Sequence, residues 1–187
     1  GVLPHNLLDL TFGWSFNQVL KEGVLPHNLL SLTFINSFNQ VLKEGVLPHS
    51  LLNLTFGFDF DQVLKEGVLP QTLLSLTFGW KFNQKIDRNV IPNSVTFLTF
   101  GSDFDRELNS SILSQIGSNK MIKYRTEHYH LTIKIFNQEF VDVSYKTFHE
   151  IENILENINY DKGRLIFEDL CKIAFHPSRI KKCMESL

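Results

Sequence analysis

Apolar and polar positions recur along the N-terminal part of the chain with a period of 22 residues. The units that start at residues 1, 23 and 45 are near copies, whereas the units that start at 67 and 89 diverge progressively. Each unit contains a segment of the type Leu-x-Leu-Thr-Phe, in which apolar and polar side chains alternate as they do in a β-strand with one buried face. A fixed period of this length is typical of solenoids of the leucine-rich-repeat type.

We therefore predict one strand in each unit, over residues 8–12, 30–34, 52–56, 74–78 and 96–100. Alternation places Leu10 and Phe12 on the inner face of the first strand and Asp9 and Thr11 on its outer face. Because every return of 22 residues brings the next strand beside the last in the same direction, the strands form a parallel sheet along one wall. A single unit is too small to fold alone, so neighbouring units must stack to bury a continuous core.

Other repeated residues have structural roles in this scheme. A proline precedes each strand and belongs in a turn, because it lacks an N–H donor. A second phenylalanine recurs in every unit and is predicted to stack as a spine on the wall opposite the sheet: Phe16, Phe38, Phe60, Phe82 and Phe104. The asparagine or aspartate that follows it is expected to bond turn backbone. The outward threonines, such as Thr11 and Thr33, are explained by cross-strand pairing without a ligand.

Three positions vary while this framework repeats, which is the pattern of a recognition face on a repeated scaffold. Position 9 of the unit reads Asp9, Ser31, Asn53, Ser75 and Phe97; position 14 reads Trp14, Asn36, Phe58, Trp80 and Ser102; position 15 reads Ser15, Ser37, Asp59, Lys81 and Asp103. A ladder of five strands is about 20 Å wide, which suits a peptide or a small protein patch. From these positions we predict the following partner-binding residues: Trp14, Phe58, Trp80, Asp9, Asn53, Asp59 and Lys81. Alternatively, the aromatic rings at position 14 lie over the next repeat as core.

The shared pattern L-P-x-S/N-L-x-x-L-x-F-G-x-x-F-N-Q, over about residues 1–108, resembles the FNIP repeat, a leucine-rich-like repeat of slime moulds and giant amoeba viruses. In one departure, Phe16-Asn17-Gln18-Val19 and its equivalents lack the proline of the family name, so we expect that turn to close differently. The resemblance implies a protein-interaction role. Some relatives join such repeats to an F-box, which implies ubiquitin-ligase components as partners if an F-box lies upstream of this chain.

Residues 109–187 lose the period and are predicted to form a small α+β cap over the C-terminal end of the array. We predict a strand over 123–136, a hairpin with 140–143, and helices over about 147–158 and 165–175. A competing interpretation is a metal-binding or enzymatic module, since His128 and His130 have a spacing that zinc can use. Completing such a site would require Cys171, Cys183, His149 or His176, and no spacing demands it.

Composition narrows the classes of function. Net charge is −2, which gives no global attraction to nucleic acid or anionic membrane. The two cysteines make no disulfide framework, so we expect an intracellular, cytoplasmic protein. Neither a phosphate loop nor a nucleophile elbow appears, so we predict a non-enzymatic protein with no cofactor and an unidentified protein or peptide partner. Because Gly1 opens a complete unit, we expect the chain to be part of a longer precursor.

Overall fold

The structure, a computed structural model, describes residues 3–104 and 106, and the backbone of 120–125, 130–136 and 140–146. These residues contain an eight-stranded sheet in which the strands follow one another in chain order. The strands are β1 (Asp9–Phe12), β2 (Ser31–Phe34), β3 (Asn53–Thr55), β4 (Ser75–Thr77), β5 (Phe97–Phe100), β6 (Lys120–Arg125), β7 (His130–Phe136) and β8 (Phe140–Lys146).

Strands β1 to β5 are parallel and pair with a shift of 22 residues, so that Leu10 lies beside Leu32 and Leu32 beside Leu54. The predicted parallel sheet and period are therefore confirmed. We call residues 1–22 coil 1, 23–44 coil 2, 45–66 coil 3 and 67–88 coil 4; coil 5 begins at residue 89. The molecule is a β-solenoid in which four complete coils separate β1 from β5.

β-Turns recur at three positions of the repeat, although coil 2 has only a bend, at Asn36, in place of the turn after the strand. In coils 1 and 2 the N–H of Phe16 donates to the carbonyl of Gly13, that of Val24 to Lys21, and that of Leu29 to Pro26, at 3.1 to 3.3 Å. The proline thus opens the turn that leads into the strand, as predicted. The second turn holds a glycine at positive φ, 76° at Gly23, and in the last such turn Asn89 takes this place at 64°. Asparagine is one of the few other residues that tolerate this conformation. Between Phe16 and Lys21, where the proline of the family name is missing, the chain makes no turn.

Two columns of phenylalanine rings run through the core. Within each coil the strand phenylalanine and the second phenylalanine stack with ring centroids 3.8 to 3.9 Å apart. Along either column, the ring centroids of successive coils are 5.3 to 6.1 Å apart. The predicted column of second phenylalanines exists, but the prediction that it lies on the wall opposite the sheet is wrong. Its rings stack directly on the strand phenylalanines. The turn of residues 13–16 folds the chain back and brings Phe16 onto Phe12.

The start of each strand also departs from the sequence prediction. The carbonyl of Leu8 accepts two successive N–H donors of the next coil, from Leu30 and Ser31, at 2.8 and 3.0 Å. This double acceptance repeats at Leu30, Leu52 and Leu74. Strict alternation stops there, and the observed strands begin one residue later than predicted. Leu29, the residue before the irregularity, is fully buried, whereas Leu8 is 48% exposed.

Beyond the array, the sheet continues. Strand β6 pairs parallel with β5, and β7 pairs antiparallel with both β6 and β8. The predicted hairpin is confirmed, but the single strand predicted over 123–136 is wrong, because that stretch contains parts of two antiparallel strands. The helices predicted over 147–158 and 165–175 lie outside the described residues. Among the residues described, there is no helix of the length and apolarity that crossing a bilayer requires.

Candidate interaction surface

The outer face of the sheet carries two of the seven predicted partner-binding residues. Asp9 lies beside Ser31, and Asn53 lies between Ser31 and Ser75, in one row across the parallel strands. Asp9 and Asn53 are both exposed, and Phe97 ends the row with half of its surface exposed. The row at position 9 therefore offers polar side chains along most of its length and an aromatic ring at coil 5.

A row of leucines, missed by sequence reasoning, runs beside it. Leu8 and Leu74 are 48% and 44% exposed, and Leu30 and Leu52 are half-buried. Strict alternation over residues 8–12 would place this row on the inner face with Leu10. Two signals pointed the other way: adjacent leucines in every regular unit cannot both face inward, and the loosest unit has Thr96 at this position.

A shallow groove of about 360 Å³ crosses the sheet at the ends of the strands. Its floor includes the outward threonines Thr33, Thr55, Thr77 and Thr99, and its lining includes Ile35, Phe58 and Trp80. We call it the threonine groove. The rings of Phe58 and Trp80 have centroids 5.7 Å apart and planes inclined by 23°. Phe58 keeps 40% of its surface exposed and Trp80 is half-buried, so each ring contacts its neighbour and also solvent.

Trp14 does not belong to this pair. It projects from coil 1 with 68% of its surface exposed, and it is not part of the groove lining. Asn36 occupies the same position in coil 2, between Trp14 and Phe58. The three aromatic residues predicted to bind a partner are therefore a stacked pair and a separate ring.

Asp59 and Lys81 line a second groove, of about 640 Å³, on the adjoining wall. Its lining residues are Asn17, Ser37, Asn39, Asp59, Asp61, Lys81, Asn83 and Asp103, and we call it the asparagine groove. The Nζ of Lys81 donates to Asp59 Oδ1 at 2.7 Å and lies 5.4 Å from the centre of the Phe58 ring. Lys81 thus reaches from the asparagine groove towards the aromatic pair of the threonine groove.

A hydrogen-bond ladder forms the floor of the asparagine groove. Asn17 Oδ1 accepts from the backbone N–H of Asn39 at 2.9 Å, and Asn39 Oδ1 accepts from that of Asp61 at 3.0 Å. The glutamine that follows adds a second donor, Gln40 Nε2, at 2.9 Å from Asn17 Oδ1. These side chains do bond backbone, but the expected partner is corrected: it is the segment without a turn in the next coil and not turn backbone. Because the ladder uses only the side-chain oxygen, aspartate replaces asparagine at residue 61.

Charged groups on these walls do not combine into a metal site. Three carboxylates, those of Asp59, Asp61 and Asp103, line the asparagine groove with the single ammonium of Lys81. Among the described residues, no group of three or more histidine, cysteine, aspartate or glutamate side chains is placed to hold a metal ion. The side chains proposed for a C-terminal zinc site lie outside the described residues.

The family comparison bears directly on this array. A family model described as FNIP Repeat matches residues 1–37, 38–81 and 82–113. The chain belongs to the FNIP repeat family. Two of the three FNIP matches begin at Phe38-Asn39 and Phe82-Asn83, which are a core ring followed by a ladder residue. The match over 38–81 has the length of two coils, so this FNIP unit corresponds to two coils of the solenoid.

A solved structure shares the fold. The crystal structure of CroV588, described as a novel circular LRR protein, matches this FNIP chain with a TM-score of 0.60 and 48% sequence identity. The match covers 67% of this chain and 18% of that one, so the FNIP chain spans only a small part of its length. This solenoid is therefore similar to a leucine-rich-repeat protein in both sequence and fold. A search of curated proteins gave no match.

Proposed function

We propose that this FNIP solenoid is a non-enzymatic interaction module that binds a protein or peptide along the threonine groove. The observation that carries the proposal is the apolar surface around that groove. Ile35, Phe58 and Trp80, which line the groove, have partly exposed side chains on three neighbouring coils. Contiguous exposed apolar surface rimmed by polar groups marks binding sites in proteins of this size.

The chemistry of the rim supports a protein partner. Aromatic residues are enriched at the centre of protein interfaces, where they contribute large contact area with little loss of side-chain entropy. Polar Asn53 and Ser75 lie on the outer face, and Asp59 and Lys81 lie on the adjoining wall. Lys81 is already paired with Asp59, so a partner approaching the aromatic pair would meet a neutralised edge there.

Two finer roles stay predictions. A cap formed by residues 109–187 agrees with the pairing of β6 against β5, because that pairing covers the open edge of the last repeat strand. The ubiquitin-ligase role implied by the family would require an F-box upstream of this chain. Neither the family match nor the structural likeness concerns an F-box. An intracellular, cytoplasmic location likewise rests on the cysteine content alone.

The test compares two pairs of exposed side chains. Phe58→Ala with Trp80→Ala removes the aromatic pair of the threonine groove, while Val41→Ala with Val63→Ala removes two exposed valines elsewhere on the coils, 54% and 50% exposed. A photo-crosslinking residue in place of Ile35, which lines the groove, identifies the partner in a lysate, and titration then measures its affinity. We expect the aromatic pair variant to bind about 30-fold more weakly, since a central aromatic contributes about 2 kcal/mol.

The valine variant is expected to keep the affinity of the unchanged chain. Circular dichroism and the urea midpoint check that both variants are folded. Equal binding by a folded aromatic pair variant, or equal losses in both variants, would show that the threonine groove is not the binding surface.

A further inference from the structure

The two grooves meet along one edge, where position 15 of a coil lies against position 14 of the coil before it. The backbone N–H of Lys81 donates to the carbonyl of Phe58 at 3.0 Å. One coil further, the backbone N–H of Asp103 donates to the carbonyl of Trp80 at 3.1 Å. A segment that contacts the ring of Trp80 in the threonine groove therefore borders on Asp103 in the asparagine groove.

The asparagine groove carries an excess of negative charge. Lys81, the cation of its lining, donates to Asp59 Oδ1 at 2.7 Å and so neutralises that carboxylate. The other two carboxylates of the lining, those of Asp61 and Asp103, have no ion-pair partner within the described part of the chain. Three carboxylates and one ammonium thus leave two negative charges uncompensated beside the aromatic pair.

These two charges are not required by the fold, because other coils have neutral residues at the same positions. Asp61 Oδ1 accepts a backbone N–H of the next coil at 2.9 Å, and Asn39 Oδ1 does the same at 3.0 Å. At the position of Asp103, coil 2 has Ser37. The uncompensated carboxylates therefore occur in coils 3 and 5, on either side of the coil that carries Trp80, and their absence from coil 2 costs that coil no contact of the ladder.

We propose that the segment bound in the threonine groove carries a lysine or arginine beside its apolar contact residue, and that this cation lies in the asparagine groove near Asp61 and Asp103. The inference rests on the proposed function and names the kind of partner: a protein segment in which a basic side chain neighbours an apolar one. The apolar side chain contacts Phe58 and Trp80, while the ammonium or guanidinium group offsets the two uncompensated carboxylates. Complementary charge of this kind speeds association and discriminates against acidic partners.

Other occupants fit this edge less well. An acidic segment or a nucleic acid would place negative charge against both carboxylates. An uncharged apolar segment would cover Trp80 and remove water from Asp103 without supplying a partner for its charge. A divalent cation alone lacks ligands, because the described residues contain no group of three or more histidine, cysteine, aspartate or glutamate side chains placed to hold one.

The experiment selects peptides from a random library displayed on phage, with the full chain as the target. Each selected peptide is then titrated against the unchanged chain and against Phe58→Ala with Trp80→Ala, which lacks the aromatic pair. This step separates peptides that occupy the threonine groove from those that bind elsewhere. Among the peptides that need the aromatic pair, we expect lysine or arginine to be enriched next to an apolar residue.

Two further variants test where the basic residue lies. Asp61→Asn with Asp103→Ser removes both uncompensated charges and takes its residues from other coils of the array. Glu22→Gln with Glu44→Gln removes two exposed carboxylates that lie outside both grooves, and it is the matched control. We expect the first variant to bind the peptides about fivefold more weakly at low salt, since two exposed ion pairs are lost, and the loss to shrink as salt is added. The control should bind as the unchanged chain does, and circular dichroism checks that all variants are folded.

The other outcomes separate this inference from the proposed function. Peptides that need the aromatic pair but show no excess of basic residues, or that bind the Asp61→Asn and Asp103→Ser variant as tightly as the unchanged chain, would overturn the inference alone. Equal losses in that variant and in the glutamate control would also overturn it, because the net charge of the chain would then explain the preference. Recovery of no peptide, or only of peptides indifferent to the aromatic pair, would contradict the proposed function itself.

Discussion

Coil 1 and coil 3 have nearly the same sequence and differ in what surrounds them. Leu51, Phe56 and Phe60 of coil 3 are 0% to 2% exposed, whereas Leu7 and Phe12 of coil 1 are only partly buried. The contrast cannot come from the residues, because the same residue types stand at these positions in both coils. It comes from the number of neighbours: within the described part of the chain, coil 3 is packed between two coils and coil 1 packs against one.

The difference shows that the stability of a residue in this array depends on its place in the stack. In a solenoid each unit contacts only its neighbours, so stability is close to a sum of unit and boundary contributions. The same substitution at the same position of the repeat should then lower the free energy of unfolding by different amounts in coil 1 and in coil 3. The two tryptophans, Trp14 in coil 1 and Trp80 in coil 4, allow unfolding to be followed by fluorescence at two places.

The largest contrast is expected from the second phenylalanine column. Phe60→Ala should lower the free energy of unfolding by about 3–5 kcal/mol, because it leaves a cavity between two stacked rings of the same column. Phe16→Ala should cost about 1–2 kcal/mol, since its ring is partly exposed and has one neighbour in that column. Urea unfolding of both variants measures the two values, and equal losses would contradict the dependence on position.

The glycine that follows each strand should give the next contrast. A Cβ on Gly57 would lie 2.7 and 2.8 Å from the backbone nitrogen and oxygen of Asn36, so Gly57→Ala must push two coils apart. We expect a cost of about 1–3 kcal/mol for this overpacking. Gly13→Ala meets no atom within 4 Å and should change stability by less than about 0.5 kcal/mol. Thermal unfolding compares them, and a costly Gly13→Ala would point to a backbone requirement at this position in place of crowding.

The smallest contrast concerns the glutamine beside the asparagine ladder. Gln62 Nε2 donates to Asn39 Oδ1 at 2.9 Å, so Gln62→Ala should cost about 1 kcal/mol. Gln18 has no such acceptor among the described residues, and Gln18→Ala should leave the urea midpoint unchanged. If a unit is added before coil 1, the cost of Gln18→Ala should rise to that of Gln62→Ala. A cost that stays the same would separate this side chain from the contacts between coils.

Much of the fold follows from the sequence because the repeat supplies its own alignment. The period predicts the parallel sheet, and the equivalence of Leu10, Leu32 and Leu54 predicts the register. The prediction fails at the start of each strand. There the carbonyl of Leu8 accepts two hydrogen bonds from the next coil, and the Leu8 side chain is exposed. This irregularity involves hydrogen bonds between coils, which the local pattern of apolar residues does not show.

The candidate site was only partly predictable for a similar reason. Variation at positions 9, 14 and 15 identifies outward residues, but it does not say which wall each residue faces. The turn after the strand places Phe58 at the threonine groove and Asp59 in the asparagine groove, although they are adjacent in the chain. The stacking of Phe58 on Trp80, without Trp14, depends on Asn36 standing between coils 1 and 3.

The oxygen-only ladder allows the electrostatics of one wall to vary independently of the fold. Asn17 and Asn39 are neutral and Asp61 carries a carboxylate, yet each accepts the same backbone N–H from the coil that follows. Substitution of aspartate for asparagine at one ladder position therefore adds a negative charge to that coil. It preserves the side-chain oxygen that accepts the hydrogen bond between coils. In an array built from this repeat, the ladder residue of each coil can therefore be neutral or negatively charged independently of the others. Duplication of a repeat preserves that charge, and a point substitution changes it.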